Sequence, residues 1–249
     1  MNETARGSNP MMTSKIFNTV PASGRAMTVR GTVNKLTILF FMFLLTAGWG
    51  WNFVASISDS TDGKIFVVSL SIILLILGMA TSAIPRISPA TAPLYVLGEG
   101  VIIGAISRIY NEYSSGIVLQ AVLLTLSIFV VFLAIYKFQI VKVHERFVKG
   151  VVAATGGVVL VYLVNLILSF FGTNIPFLHD NGKTGIIINL IVVAIASMNF
   201  LADFYFIEKA ERARMPKYME WYLAFGVFVT FIWLYLEVLK LLSKIKKKD

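Results

Sequence analysis

Two apolar stretches near the C-terminus each carry one acidic residue, a pattern that could move protons or cations. The first ends NFLADFYFIE (199–208), with Asp203 following the uncharged run 184–202. The second reads WYLAFGVFVTFIWLYLEVLKLL (221–242), with Glu237 following the uncharged run 221–236. An ionised carboxylate at the centre of a membrane helix costs about 2.5–3.5 kcal/mol on insertion scales. Such a group therefore faces a bundle interior or a wet cavity, and by default it marks an ion or proton site. If Asp203 and Glu237 approach each other, two charges in a low dielectric are prohibitive, so the pair shares a proton and titrates as one. Losing that proton creates charge that recruits a cation or water, which makes the pair a latch biased by pH. Plainer readings stand beside this one. Asp203 would lie near the membrane interface and snorkel there. Glu237 would be a protonated packing residue or an i,i+3 partner of Lys240.

Two further acids belong with these. Glu99 lies inside a third apolar stretch, APLYVLGEGVIIGAISRIY, as a pore acid or as a hydrogen-bond partner of a neighbouring helix. Glu220 is a rival partner for Asp203, although its place beside Trp221 suggests the interface. Calcium takes about six to eight oxygen ligands. Two carboxylates and scattered carbonyls fall short of that, so only weak, transient coordination is expected. His144 and His179 fall in loops with no ligand partner at helical spacing, which reads as surface histidine and no metal site. No HExxH, nucleophile elbow or phosphate loop is present, so neither an enzyme nor a bound cofactor is expected. The absence of cysteine excludes disulfides and thiolate chemistry.

The elements that must hold these residues are membrane spans. The chain has 249 residues, 57% hydrophobic and 14% charged, with mean hydropathy +0.79. A soluble domain averages about 25% charged residues. The net charge of +9 gathers in short segments between apolar runs, which points to lipid headgroups and topology instead of nucleic acid. Seven spans are predicted, at 36–58, 65–84, 92–110, 113–136, 150–171, 186–207 and 221–242. DSTDGK (59–64) reads as a turn, Pro85 to Pro89 as a helix break, and 136–150 as a basic loop. Residues 172–185 form a turn-rich connection and 208–220 a charged one. Gly100 and Gly104 make a GxxxG pair that lets two helices approach closely. The predicted organisation is a flexible cytoplasmic tail over 1–30, a membrane domain over 31–242 and a basic C-terminal tail over 243–249.

Lysine and arginine placement sets the orientation. The tail carries Arg6, Lys15, Arg25, Arg30 and Lys35, and the second, fourth and sixth connections carry Arg86; Lys137, Lys142, Arg146 and Lys149; and Lys209, Arg212, Arg214 and Lys217. The odd-numbered connections hold only Lys64, Arg108 and Lys183, so the N-terminus is expected inside. Seven full spans then put Lys240, Lys244 and the final lysines outside, against the bias. Either the last segment turns back as a half-span, or the earlier spans have already decided the matter. Seven spans is the reading taken.

The order of spans, with GEGVIIGAIS in the third, MNFLADFYFIE in the sixth and WLYLEVLKLL in the seventh, resembles the Bax inhibitor-1 (transmembrane Bax inhibitor motif) family over residues 28–242. GTVNK, APLYVLGEG and PKYMEWYLAFG resemble a bacterial subgroup of it. The resemblance implies an all-α integral membrane protein, a seven-helix bundle with the last helix central, and a pH-sensitive calcium leak in the cell membrane. Family members carry an acid late in the sixth helix and another in the seventh that share a proton and help hold the pore shut. Asp203 resembles the first and Glu237 the second, which is an aspartate in the better-known branch. Arg86 resembles in position an arginine that competes for the acids. The connector between the acids is longer here. Glu237 lies about eight residues farther from Pro216 than Asp203 does, ~12 Å of straight helix, so direct pairing needs a bend, a tilt or a vertical offset. The partners implied are a lipid bilayer, a permeating cation and, in an alternative role, another membrane protein such as a quality-control protease. A proton-coupled transporter is a third possibility.

Overall fold

The computed structural model describes residues 26–57 and 61–246. The tail up to residue 25, residues 58–60 (which include the start of the DSTDGK segment) and residues 247–249 lie outside the described residues, as do the side chains of Lys64 and His179. Seven long helices follow one another: α1 (Val29–Ile57), α2 (Thr61–Ala83), α3 (Ser88–Tyr113), α4 (Ile117–Lys137), α5 (Glu145–Phe170), α6 (Lys183–Arg212) and α7 (Met219–Lys246). Each is long and apolar enough to cross a membrane. A 3-10 turn (Pro85–Ile87) and a single helical turn (Pro176–His179) sit in the connections.

The helices agree with the predicted spans in order and number, and differ at their ends. Residues 61–64, predicted as turn, already belong to α2. The break at Pro85 is present, but α3 starts at Ser88, because proline is tolerated in the first helical turn where its missing N–H costs nothing. The same helix runs on to Tyr113, and α4 begins only after Gly116 at φ 79°, a left-handed conformation that glycine adopts without strain. Charged residues lengthen α6 and α7, so the connector between them shrinks to residues 213–218. Hydropathy marks where lipid begins, whereas the backbone stays helical until a turn residue stops it.

The last helix is the most enclosed of the seven. In its most apolar stretch 83% of residues are buried, against 11% in α5. The chain divides into two compact units. One comprises Gly116–Tyr205 with residues 229–246; the other comprises residues 26–115 with Phe206–Phe228.

In the first unit Phe129, from α4, stands edge-on to Phe200 of α6 at 5.0 Å and packs against Phe204 and Phe231. Such aromatic pairs add about 0.5–1.5 kcal/mol beyond the area they bury. Lys244, near the end of α7, donates to the carbonyls of Leu178 (3.0 Å) and Gly185 (3.2 Å). This contact pins the C-terminal end of α7 to the connection before α6. A helix from residue 219 to 246 spans about 42 Å, long enough to cross the apolar layer completely.

In the second unit α1 and α3 meet through glycine. A Cβ on Gly100 or Gly104 would strike the α1 backbone around Phe43–Ala47, and one on Gly50 would strike the backbone of Val101. The GxxxG expectation therefore holds, with Gly50 answering from the other helix. The start of α1 is tied down rather than loose. Ala26 pairs with Pro216, and the Met27 N–H donates to the Met215 carbonyl at 2.8 Å. The Thr28 hydroxyl caps the helix by accepting from the Gly31 N–H at 2.9 Å, and Glu211 accepts from the Val29 N–H at 2.8 Å. Both acceptors meet the positive end of the helix dipole.

Candidate functional site

Within the first unit, helices α5, α6 and α7 build a buried polar seam. On α6, Asn189, Asn199 and Asp203 fall within an arc of about 80°. On α5, Thr155 and Tyr162 are one heptad apart, as are Thr230 and Glu237 on α7, so each pair shares a stripe of its helix. Six of these seven residues are buried, and Tyr162 is half-buried. Buried polar groups survive in an apolar setting only when hydrogen-bonded, and here they bond to one another.

The seam has three levels. Deepest into α6 from its start is Asp203, 1% exposed, whose Oδ2 accepts from the Thr230 hydroxyl at 2.7 Å. Next, the Asn199 amide donates to Thr155 Oγ1 at 2.9 Å and to the Ile195 carbonyl at 2.9 Å. The third level is Glu237, also 1% exposed. Its Oε1 accepts from the Tyr162 hydroxyl at 2.9 Å and from Lys240 Nζ at 3.0 Å, and its Oε2 accepts from Asn189 Nδ2 at 3.0 Å. Glu237 thus has the i,i+3 lysine partner that its spacing allowed, and two neutral donors besides.

The two acids occupy separate stations. Thr230, the partner of Asp203, lies two turns from Glu237 along α7, about 10 Å of helix axis. The depth offset implied by the sequence spacing is present, and each acid has hydrogen-bond partners of its own.

The remaining acids and Arg86 lie in the second unit. Glu99 is half-buried and accepts a hydrogen bond from Tyr95 on the preceding turn of α3. Glu220, 1% exposed, accepts from Thr28 N (3.1 Å), Thr28 Oγ1 (3.2 Å) and Lys217 Nζ (2.6 Å), and its carboxylate packs onto Gly31. It fastens the start of α1 to the start of α7. Arg86 is exposed on the 3-10 turn. Its guanidinium acts on Tyr218, whose phenol burial pushes above its usual range and whose rise the cation partly offsets. His144 is exposed, with Nδ1 2.8 Å from the Lys142 carbonyl oxygen. Among the described residues no group of three or more His, Cys, Asp or Glu side chains could hold a metal ion.

Acids buried along the last two spans, set on a polar seam in a chain of seven spans, fit the family suggested by the sequence. The family model for Bax inhibitor 1 like proteins matches residues 9–247, nearly the whole chain. The chain belongs to the Bax inhibitor 1 like family. None of the curated proteins matches it significantly. As a Bax inhibitor 1 like protein it is a multi-pass membrane protein, and the match takes in all seven helices together with Arg86, Glu99, Asp203, Glu220 and Glu237. The sequence reading missed Thr155, Tyr162, Asn189, Asn199 and Thr230 as members of the site. A usable signal existed: heptad-spaced polar residues at 155/162 and 230/237, and two asparagines inside a span. A further asparagine in α5, Asn165, accepts from the Ile175 N–H at 2.9 Å and secures a loop.

Proposed function

We propose that this protein is a pH-sensitive cation leak channel, with Ca²⁺ as its expected cargo, and that the seam through Asp203 and Glu237 governs the leak. The observation that carries the proposal is the burial of both carboxyl groups, each 1% exposed, among hydroxyl and amide groups on three adjacent helices. A protonated carboxyl can donate one hydrogen bond; an ionised one only accepts. Taking the proton from Asp203 therefore changes which bonds it can make inside a dry bundle, and leaves a charge that a cation can neutralise. With side-chain and backbone oxygens in place of a full calcium cage, coordination is weak enough for release, as a leak requires. The lysine and arginine distribution supports a cytoplasmic N-terminus in the cell membrane.

The test is Ca²⁺ entry into liposomes holding the purified protein, followed from pH 5 to 8. Wild-type flux is expected to rise as the pH rises. Asp203→Asn, which keeps the shape and cannot titrate, is expected to flatten that dependence, and Glu237→Gln to reduce flux at every pH. A pH profile unchanged in the double variant would end the proposal.

A further inference from the structure

The Glu237 station holds more oxygen than its hydrogen bonds use. Glu237 offers both carboxylate oxygens, Tyr162 its hydroxyl oxygen and Asn189 its amide oxygen. Asn189 donates through Nδ2 to Glu237 Oε2 at 3.0 Å and to the Glu237 carbonyl at 3.3 Å. Its Oδ1, on the same planar amide and in a residue 4% exposed, is buried with no hydrogen-bond partner among the described residues. A buried carbonyl oxygen left unsatisfied keeps its full desolvation penalty. The arrangement persists at that cost beside a carboxylate, where an oxygen is useful to a cation and useless to the acid.

A cation is already there. Lys240 Nζ lies 3.0 Å from Glu237 Oε1 and 5.0 Å from the centre of the Tyr162 ring. Its side chain is 43% exposed while that of Glu237 is 1% exposed, so the ammonium enters from outside on a flexible stem. The other charges near this station are Lys244, which feels Glu237, Lys240 and Asp180. Lys244 itself is engaged by the carbonyls of Leu178 and Gly185, and Asp180 by the N–H groups of Gly182 and Gly185. Lys240 is the cation whose contacts are to the station itself.

We propose that Glu237, Asn189 and Tyr162 form a cation-binding site in which the Lys240 ammonium is a tethered occupant, and that a small metal cation such as Ca²⁺ binds by displacing it. The proposal deepens the leak reading and rests on it for the cargo. The hard oxygen donors suit Ca²⁺ or Na⁺, with water completing the shell. A site open for about one tenth of the time binds about tenfold more weakly than one always open, so the lysine sets the affinity without altering the ligands.

The experiment uses the full chain, in detergent for binding and in liposomes for flux. Binding is read as the rise in Tm with added Ca²⁺, and separately with Na⁺. Lys240→Met is expected to show that rise at about tenfold lower cation concentration than wild type, and to leak faster. Lys240→Arg, which keeps a tethered cation, should behave as wild type. Adding Glu237→Gln to Lys240→Met should abolish the response. Lys240→Gln serves if Lys240→Met does not elute as a single folded species. An identical response to both cations in wild type, in the folded lysine variant and in its Glu237→Gln partner overturns the site. Should Lys240→Met bind the cation while no variant conducts, the site stands and the leak reading falls. Should flux respond to pH with binding indifferent to Lys240, the leak reading stands and the tethered occupant falls.

Discussion

Asp203 and Thr230 show how much rests on one hydrogen bond in a dry bundle. The carboxyl group is 1% exposed, and the Thr230 hydroxyl donates to it at 2.7 Å. Losing one such hydrogen bond costs about 0.5–1.5 kcal/mol. Thr230→Val, nearly the same shape without the hydroxyl, is expected to lower the Tm of the purified protein. Thr230→Ser, which restores the donor, is expected to recover most of the loss. Equal Tm values for the two would mean that the hydroxyl carries none of the stability. At this scale the sequence was half legible. An acid in an apolar span announces itself by its cost, so Asp203 and Glu237 were visible; a threonine or tyrosine in a span is ordinary, and only its partner shows that it matters.

At the scale of elements, α1 and α3 of the second unit meet with glycine against backbone. Gly104 faces the Ala47 carbonyl and Cα, so a side chain there forces α1 and α3 apart. Overpacking of this kind costs about 1–3 kcal/mol, and more where backbone is the neighbour. Gly104→Val is therefore expected to lower Tm sharply. Gly48→Ala is the contrast: nothing lies within 4 Å of the added Cβ, and alanine favours helix over glycine by about 1 kcal/mol. It is expected to leave Tm unchanged or raise it, and a drop as large as that of Gly104→Val would show that helix packing is not the cause. The GxxxG spacing was readable in advance; that Gly50 completes the contact was not, because a lone glycine in a span carries no pattern.

For the whole molecule, α7 runs unbroken from Met219 to Lys246, and Lys244 near its end donates to the carbonyls of Leu178 and Gly185. The absence of cysteine makes this directly measurable. Single substitutions Arg214→Cys and Lys246→Cys are expected to react with a membrane-impermeant thiol reagent from opposite sides of the membrane. Reaction of both from the same side would mean a last segment that turns back. The positive-inside count could not decide this point, since the lysines at 240–248 argue against a full span while the uncharged length argues for one. One contact bears on it: the Lys244 ammonium is engaged by the carbonyls of Leu178 and Gly185, around the start of α6.

The sequence by itself determined that this is a membrane protein of seven spans, because burying backbone in lipid demands long apolar helices and leaves a hydropathy record residue by residue. It also marked the acids, whose presence in such helices is costly enough to need a reason. Only the tertiary structure decided what those acids touch. Asp203 meets Thr230, and Glu237 meets Tyr162, Asn189 and Lys240, because the rotation and offset of three neighbouring helices choose the partners. Those two quantities arise from packing between distant segments, and no stretch of one helix encodes them alone.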